Sequence, residues 1–247
     1  MNRIGLTSVT FRKLDYKNII NIAKNAGLDG IEWGGDVHVK PDDPNIAKEI
    51  GKATRDNGLE VFSYGSYFKV GENYNAKEFD SVIKTSCALQ TNEVRIWTED
   101  VSFKDSEKYC RFINNLKTLS AISGANNITL SMEFHNNTAN DTGEKSKKIL
   151  EEVKSDYLRT YWQPIDSRAN NEKYISLLKN QITNVHVYNW IYGDKITRLM
   201  LSQNEEDWQS YINLLKGFSH KYILEFVKDD SVDLFYKDVV TLRNLLK

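Results

Sequence analysis

Short apolar segments alternate with amphipathic segments along the whole chain, and this alternation is the strongest constraint on the fold. The 247 residues contain about eight strand-then-helix units of about 31 residues each. Units of this size build a parallel sheet, because each helix returns the chain to the same end of the sheet. Eight such units close into a barrel of roughly 250 residues. The sequence therefore predicts an α/β fold, a single (β/α)8 TIM barrel spanning residues 1–247.

The predicted elements have the composition of buried strands and surface helices. Strands rich in Ile, Val, Leu and aromatic residues are predicted at 3–8, 30–33, 60–64, 93–97, 128–133, 158–163, 182–187 and 222–226. Helices are predicted at 16–25, 45–56, 78–89, 106–123, 143–155, 208–218 and 232–246. The first turn contains no glycine, unlike that of an open dinucleotide-binding sheet, so a closed barrel is favoured.

Charge and hydropathy exclude several classes of protein. Lys plus Arg number 33 against 34 Asp plus Glu, so no bulk field attracts a phosphate backbone and no nucleic-acid partner is expected. No run approaches the ~20 apolar residues of a membrane span, and the N-terminus does not resemble a signal peptide. We therefore expect a soluble cytoplasmic protein that does not contact membranes. Homodimer formation is left open.

Three apolar runs in the second half of the chain each end on a residue that binds hard or borderline metal ions. Glu133 follows IleThrLeuSerMet, His186 follows AsnVal, and Glu225 follows TyrIleLeu. The carboxyl ends of barrel strands meet at one face, where these three side chains would converge. Two carboxylates and an imidazole suit a divalent cation. The pattern predicts a metal-assisted enzyme, although each residue alone also fits a structural role.

The sixth strand offers two oxygen donors that could complete this site. Gln163 stands at the predicted strand end and could coordinate through its amide oxygen. Asp166 is chemically the better ligand but lies beyond Pro164, in the loop. We favour Gln163 as the ligand by position, and assign Asp166 to substrate binding.

Aromatic and polar residues that end or follow other strands form a candidate substrate wall. Such a surface suits the apolar faces and hydroxyl groups of a carbohydrate, although any one of these residues also fits simple packing. The residues are Glu32, Trp33, Asp36, His38, Tyr64, Tyr67, Arg95, Trp97, His135 and Trp190.

Seven segments near the predicted strand ends, taken together, resemble the sequences of a known family. They are IleGluTrpGlyGlyAspValHisVal from Ile31, SerTyrGlySerTyrPheLysValGly from Ser63, ValArgIleTrp from Val94, MetGluPheHisAsnAsnThr from Met132, TyrTrpGlnPro from Tyr161, ValHisValTyrAsnTrp from Val185 and LeuGluPheValLysAspAsp from Leu224. Over most of the chain they resemble the xylose isomerase-like TIM barrels known as sugar phosphate isomerases and epimerases. That superfamily also includes ketohexose 3-epimerases, inosose-processing enzymes and the endonuclease IV group.

The resemblance implies roles for particular residues of this chain. Glu133 and Glu225 would be paired metal ligands and acid/base carboxylates, and His186 the imidazole ligand. One divalent ion (Mn, Mg, Co or Zn) and a small carbohydrate substrate are implied, with proton transfer through an enediolate. Arg198 is similar in placement to an arginine that holds the substrate or a catalytic glutamate. The family usually has aspartate on the sixth strand, so Gln163 departs from its pattern and puts the metal affinity in question.

Two other functions stay open beside a metal-dependent sugar or sugar phosphate isomerase or epimerase. Gln163 in the place of aspartate also fits a barrel whose metal site has decayed and which binds carbohydrate or regulates another protein. Kinship with the endonuclease IV group implies phosphodiester hydrolysis at abasic DNA. Four histidines and a net charge of −1 offer little to a multi-metal centre acting on DNA, so we rank this function last.

Overall fold

The strands of the protein close into one parallel barrel. A computed structural model describes residues 2–191, 193 and 195–247. The strands are β1 (Arg3–Thr7), β2 (Gly30–Gly34), β3 (Glu60–Val70), β4 (Glu93–Thr98), β5 (Thr129–Met132), β6 (Leu158–Trp162), β7 (Ile182–Val187), β8 (Trp190–Ile191), β9 (Thr197–Arg198) and β10 (Lys221–Leu224). The barrel order is β1, β10, β7, β6, β5, β4, β3, β2, and β2 pairs with β1. The predicted (β/α)8 fold is confirmed.

Eight helices accompany the barrel strands. They are α1 (Tyr16–Asn25), α2 (Pro44–Asp56), α3 (Ala76–Leu89), α4 (Ser106–Ala125), α5 (Gly143–Val153), α6 (Arg168–Leu178), α7 (Glu205–Leu214) and α8 (Val232–Leu245). All except α7 begin at a residue whose side chain accepts a backbone N–H of the first turn, which stabilises the helix start. Among the described residues, no helix has the length and apolar character needed to cross a membrane.

Three elements differ from the predictions. Strand β3 continues beyond the predicted 60–64 to Val70, because residues 66–70 alternate between buried and exposed and pair with the end of β4. Helix α6 was not predicted, since its sequence ArgAlaAsnAsnGluLysTyrIleSerLeuLeu carries only a narrow apolar stripe. The antiparallel hairpin of β8 and β9 was also not predicted, because two-residue strands are too short to show a periodic pattern.

The amino end of the barrel is closed by the ring of Phe62. This side chain is 1% exposed and lies so close to Gly5 and Gly30 that a Cβ atom on either would approach the ring to 2.6 and 2.3 Å. The absence of side chains at these two positions makes room for the ring. The barrel is thus a packed core at this end, and chemistry is confined to the carboxyl end of the strands.

Buried polar side chains fill the middle of the barrel above Phe62. Lys221 Nζ lies 2.8 Å from Glu93 Oε2, and Asn184 Nδ2 donates to Glu93 Oε1 at 2.8 Å. Ion pairing and hydrogen bonding thus satisfy Glu93, Lys221 and the amide nitrogen of Asn184. Two residues further along the same strands, toward the carboxyl end, come Arg95 and His186, which open the candidate site.

Candidate active site

The three predicted metal ligands meet at the carboxyl end of the barrel. Glu133 and Glu225 are the first residues after β5 and β10, and His186 is the penultimate residue of β7. Their side chains are almost completely buried, with residue exposures of 2%, 7% and 0% respectively. His186 Nδ1 lies 3.4 Å from Glu133 Oε1 and 3.4 Å from Glu225 Oε2. Residues from three separate strands therefore share one small volume.

Arg95 and Glu32 complete the charged cluster. Arg95 Nη1 lies 3.0 Å from Glu32 Oε1, and its Nε lies 3.0 Å from Glu133 Oε2. Glu32 Oε1 also lies 3.3 Å from His186 Nε2. A Cβ atom on Gly65 would come within 3.1 Å of both Arg95 Nη2 and Glu32 Oε1. A glycine at this position therefore leaves room for the ion pair beside β3.

Charge pairing sets the protonation of the cluster. Burial would raise the pKa of Glu133, but the charges of Arg95 and His186 outweigh burial and lower this pKa. The same balance holds the pKa of Glu32 well below its usual value. At Glu225 burial prevails and raises the pKa. Burial would lower the pKa of His186, yet the facing carboxylates, Glu225 foremost, raise it well above its usual value. The cluster as a whole thus favours added positive charge.

By charge and donor type, the cluster fits a divalent cation. The carboxylates of Glu32 and Glu133 share one guanidinium, that of Arg95, and Glu225 faces His186. With all three carboxylates ionised, even a protonated His186 leaves one negative charge uncompensated. Both ring nitrogens of His186 are buried, and neither makes a hydrogen bond of ordinary geometry within the described residues. Two ligands that each lie about 2 Å from one ion are separated by about 3 to 3.5 Å, which matches the spacing of these donors.

The side chains of the cluster do not form a finished coordination shell. In the described ranges, no group of three or more His, Cys, Asp or Glu side chains is arranged to hold a metal ion as it stands. At 3.4 Å the contacts of His186 Nδ1 are also too long for strong hydrogen bonds. A bound ion would therefore require small inward movements of the two glutamates.

Gln163 and Asp166 occupy different environments. Gln163 is 2% exposed, and its Nε2 donates to the carbonyl of Phe134 at 2.7 Å. That bond uses the amide nitrogen and leaves the amide oxygen as the donor atom for a cation. Asp166 is exposed, and its carboxylate accepts from Ser167 N and Tyr174 Oη at the start of α6. The structure thus places Asp166 at a helix start and does not bring it into the charged cluster.

An aromatic wall lines one side of the mouth. The ring of Trp97 stacks on Tyr67 with 6.3 Å between centroids and packs against His135 at 5.0 Å. Tyr67 is 37% exposed, and the guanidinium of Arg95 lies 5.8 Å from the centroid of its ring. His135 Nδ1 lies 2.8 Å from the carbonyl of Asn136. Trp97 and His135 are thus placed beside the cluster, where a substrate ring could contact them.

The hairpin of β8 and β9 covers the opposite side. Trp190 Nε1 donates to the carbonyl of Phe226 at 3.4 Å. Arg198 pairs with Asp230 and lies over the ring of Phe226, 4.9 Å from its centroid. Phe226 directly follows Glu225, so both predicted substrate residues contact the chain next to this glutamate. Neither side chain is brought into the charged cluster itself.

Two further predicted substrate residues are held by the backbone of nearby loops. The ring nitrogens of His38 lie 3.0 Å from Ser8 Oγ and 3.0 Å from the carbonyl of Leu14. The Tyr64 hydroxyl donates to the carbonyl of Val39 at 2.9 Å, and the residue is completely buried. In the structure these two side chains therefore support the mouth by packing and hydrogen bonding.

A second group of buried polar residues supports the cluster and was not assigned from the sequence. Tyr161 Oη lies 2.7 Å from Glu32 Oε2, Ser63 Oγ donates to the same oxygen at 2.9 Å, and Asn184 Nδ2 donates to Tyr161 Oη at 2.6 Å. The sequence does give a signal for Glu32, because this carboxylate lies between two large apolar residues, Ile31 and Trp33. Glu225 is flanked by apolar residues in the same way. Tyr161 and Ser63 carry no such signal, because both residue types are common in strands.

Comparisons with known proteins agree with this architecture. The probable 3-DHS dehydratase AsbF of Bacillus anthracis superposes with a TM-score of 0.85 at 16% identity, covering 99% of both chains. An L-ribulose 3-epimerase superposes with a TM-score of 0.71 at 16% identity over 97% of this chain and 86% of the other. At such identities the likeness shows the fold alone. No curated protein matches the sequence significantly.

A barrel from Mycobacterium smegmatis, described in complex with magnesium, shares 11% identity and gives a TM-score of 0.71, covering 100% of this chain and 98% of the other. The sequence itself matches the family model of xylose isomerase-like TIM barrels over residues 20–240. That range runs from α1 into α8 and includes every residue of the charged cluster. With the resemblance noted in the sequence thus confirmed, the chain belongs to the xylose isomerase-like TIM barrel family.

Proposed function

We propose that the protein is a divalent-metal-dependent isomerase or epimerase acting on a small sugar, sugar phosphate or polyol-derived carbonyl compound. One observation carries the proposal: carboxylate oxygens of Glu133 and Glu225 both lie 3.4 Å from His186 Nδ1 at the carboxyl end of the barrel. Two carboxylates around one imidazole provide both an ion site and a pair of proton-transfer groups.

Glu133, His186 and Glu225 would hold the ion, and Gln163 would add its amide oxygen. When bound, a divalent cation polarises a carbonyl and a neighbouring hydroxyl and so lowers the cost of forming an enediolate. Its identity among Mn, Mg, Co and Zn follows from neither charge nor donor type, because oxygen and imidazole ligands suit all four.

The two glutamates would move the protons. One carboxylate removes the carbon-bound proton next to the carbonyl, and the other returns a proton. Return from the opposite face of the same carbon gives epimerisation, whereas return to the adjacent carbon gives aldose–ketose isomerisation. Arg95 pairs with Glu133 at 3.0 Å and so orients one carboxylate. Glu225 faces His186 Nδ1 at 3.4 Å but has no guanidinium partner among the described residues, and is the less constrained of the two.

The mouth supports a small polyhydroxylated substrate. Trp97 and Trp190 lie on opposite sides of the cluster, where their rings would pack on the apolar faces of a sugar. His38, Tyr64, Arg95, His135, Asp166 and Arg198 stay candidates for substrate contact, of which the structure brings Arg95 into the cluster and His135 to its side. The L-ribulose 3-epimerase among the similar structures is consistent with a sugar substrate.

Incorporation of solvent deuterium tests the proposal directly. The protein is incubated in D2O with ketoses, ketose phosphates and inososes, each with Mn, Mg, Co or Zn, and the products are read by NMR and mass spectrometry. We expect exchange at the carbon next to the carbonyl for at least one compound, with loss of exchange after chelation. Glu133→Gln and Glu225→Gln should lower the exchange rate at least 100-fold. Glu151→Gln, on the surface of α5, should leave it unchanged.

Three other outcomes would support a different function. Loss of water from the substrate, in place of proton return, would identify a dehydratase, the reaction attributed to AsbF. Carbohydrate binding without retained metal, unaltered in Glu133→Gln, would favour a carbohydrate-binding or regulatory barrel. Incision of abasic DNA in the presence of zinc would favour the endonuclease. Full deuterium exchange in either glutamate variant would contradict the roles assigned to both carboxylates.

A further inference from the structure

We propose that Glu32 is a positioning residue that fixes the tautomer and orientation of His186, so that Nδ1 presents its lone pair to the ion site. The inference rests on the proposed metal site but concerns a residue outside the ligand set. Glu32 lies on β2, across the barrel from β7, and is completely buried.

The two nitrogens of His186 face different partners. Nε2 lies 3.3 Å from Glu32 Oε1, whereas Nδ1 lies 3.4 Å from Glu133 and from Glu225. A neutral imidazole has one N–H and one lone pair, and only the nitrogen with the lone pair can bind a cation. When a cation takes the place of a proton at Nδ1, between Glu133 and Glu225, the remaining N–H lies on Nε2. An ionised carboxylate accepts hydrogen bonds but donates none, so Glu32, 3.3 Å away, stabilises this tautomer by a small approach to Nε2. The lone pair then belongs to Nδ1, which faces the two glutamates.

Glu32 is itself held in place by three groups. Tyr161 Oη lies 2.7 Å and Ser63 Oγ 2.9 Å from Oε2, and Arg95 Nη1 lies 3.0 Å from Oε1. The hydroxyls fix one oxygen, and the guanidinium supplies the countercharge for the buried carboxylate. With Oε2 occupied in this way, Oε1 is the oxygen directed at His186.

The same geometry argues against Glu32 as a ligand or a base. The nitrogens of an imidazole ring point in diverging directions, so an ion bound at Nδ1 lies on the far side of the ring from Glu32. Glu32 would therefore touch neither the ion nor the substrate.

Tyr161 is the second member of this arrangement. Its ring meets the imidazole edge to face, with 5.0 Å between centroids and an interplanar angle of 82°. The ring limits rotation of His186, while the hydroxyl holds Glu32. Loss of the hydroxyl alone should therefore weaken the arrangement less than loss of the carboxylate.

Zinc titration combined with NMR of histidine nitrogens tests the inference. In the wild-type protein loaded with Zn²⁺, long-range ¹H–¹⁵N spectra should show His186 with a protonated Nε2 and a metal-bound Nδ1; a His186→Asn variant assigns the signals. Glu32→Gln should weaken Zn²⁺ binding about 10- to 100-fold, the usual effect of losing a carboxylate that orients a histidine ligand. Tyr161→Phe should weaken it less and keep the same tautomer.

Two matched variants control for general effects. Asp238→Asn, compared with the wild type at pH 7.5, removes another buried carboxylate, which lies on α8 and accepts from Leu201 N. Tyr222→Phe removes a buried tyrosine hydroxyl on β10. Both should bind Zn²⁺ within about twofold of the wild type. Equal weakening by Asp238→Asn and Glu32→Gln would overturn the inference, since it would trace the effect to lost negative charge alone.

Failure of the metal site can be told apart from failure of this inference. If the wild type binds none of Zn²⁺, Mn²⁺, Mg²⁺ and Co²⁺, the proposed function fails, and the Hε2 proton of His186 in the metal-free protein decides the role of Glu32. A downfield, slowly exchanging Hε2 that disappears in Glu32→Gln supports positioning by Glu32. An Hε2 signal or a Zn²⁺ affinity that Glu32→Gln leaves unchanged overturns it.

Discussion

The guanidinium of Arg95 lies 3.0 Å from the carboxylate of Glu133, and both side chains are almost completely buried. The same guanidinium pairs with Glu32 at 3.0 Å, so a single cation serves two buried anions. Removing one partner from a buried ion pair is far more damaging than replacing the pair, because the remaining charge is left without compensation. Arg95 therefore links the stability of the barrel to the chemistry at its mouth.

Arg95→Met should destabilise the metal-free protein by about 3 to 5 kcal/mol, because two carboxylates lose their cation. Urea unfolding in the presence of EDTA measures this loss. Saturating Mn²⁺ should recover part of the stability, since a bound dication restores positive charge beside Glu133. Arg111→Met, which breaks only surface ion pairs with Glu72 and Glu107, should leave the free energy of unfolding nearly unchanged.

A double variant keeps this prediction testable if Arg95→Met folds poorly. Arg95→Met combined with Glu133→Gln should lose less stability than the sum of the two single changes, because one unpaired charge is removed together with its partner. Additive losses would show that the two side chains do not stabilise each other.

Gln163→Asp should strengthen binding of divalent cations and weaken the metal-free protein. The substitution adds a negative charge directly after β6, at the same end of the barrel as the two glutamates, and removes the donor to the Phe134 carbonyl. Leaving that buried carbonyl unpaired costs about 1 to 3 kcal/mol. Isothermal titration with Mn²⁺ and unfolding in EDTA measure the two effects separately. Gln163→Asn, which changes the length without adding charge, is the control. An affinity no higher than that of Gln163→Asn would exclude residue 163 from the ion site.

Strand periodicity explains why the sequence could predict so much of this centre. The change from an apolar strand to a polar loop marks the carboxyl end of a strand, and in a closed parallel barrel all such ends meet. Glu133 and Glu225 are therefore predictable as neighbours although they are far apart in the chain. The hairpin of β8 and β9 and helix α6 lack a comparable signal, because one is too short and the other has little apolar surface.

Contacts that cross the interior could not be predicted in the same way. Glu32 and Tyr161 meet although 129 positions separate them, and which strands face each other depends on strand tilt and register. Asp166 shows the converse case: its chemistry suits a ligand, but its carboxylate accepts hydrogen bonds from groups at the start of α6, which the sequence did not indicate. Residue type and strand position identify candidates, whereas the partner of each buried polar group is decided by packing.

Thr10 should be a sensitive position for the placement of Glu225. Its Oγ1 accepts from Phe226 N at 3.2 Å and donates to the Leu224 carbonyl at 3.4 Å, so it spans the backbone on both sides of the glutamate. Phe226 has a φ of 45°, which is unfavourable for an aromatic residue and needs support from its surroundings. Thr10→Val should cost about 1 to 3 kcal/mol because the Phe226 amide loses its acceptor.

Thr10→Ser keeps the hydroxyl and should lose less than half as much stability as Thr10→Val in urea unfolding. If the hydroxyl positions Glu225, Thr10→Val should also lower Mn²⁺ affinity, while Thr10→Ser should not. Equal losses of stability in the two variants would show that keeping the hydroxyl gives no protection, and would exclude the hydrogen bonds of Thr10 as the source of the effect.

Asp238 should make the stability of the protein depend on pH away from the active site. Burial raises the pKa of this carboxyl from 3.8 to about 6, although the Leu201 amide donates to it. A raised pKa means that the folded state binds the proton more tightly than the unfolded state. The stabilisation is therefore complete below about pH 4 and is lost as the pH rises through about 6.

Asp238→Asn retains the oxygen that accepts from Leu201 N at 2.8 Å and cannot ionise. At pH 7.5 the variant should be more stable than the wild type by about 1 to 2 kcal/mol, less than the full pKa shift implies because the group is partly screened by solvent. At pH 4 the two proteins should be nearly equally stable. Urea unfolding of both proteins across this range, in EDTA, measures the difference, and contributions from the charged cluster cancel because both proteins share it. A difference that stays constant from pH 4 to 7.5 would show that Asp238 does not titrate in the folded protein.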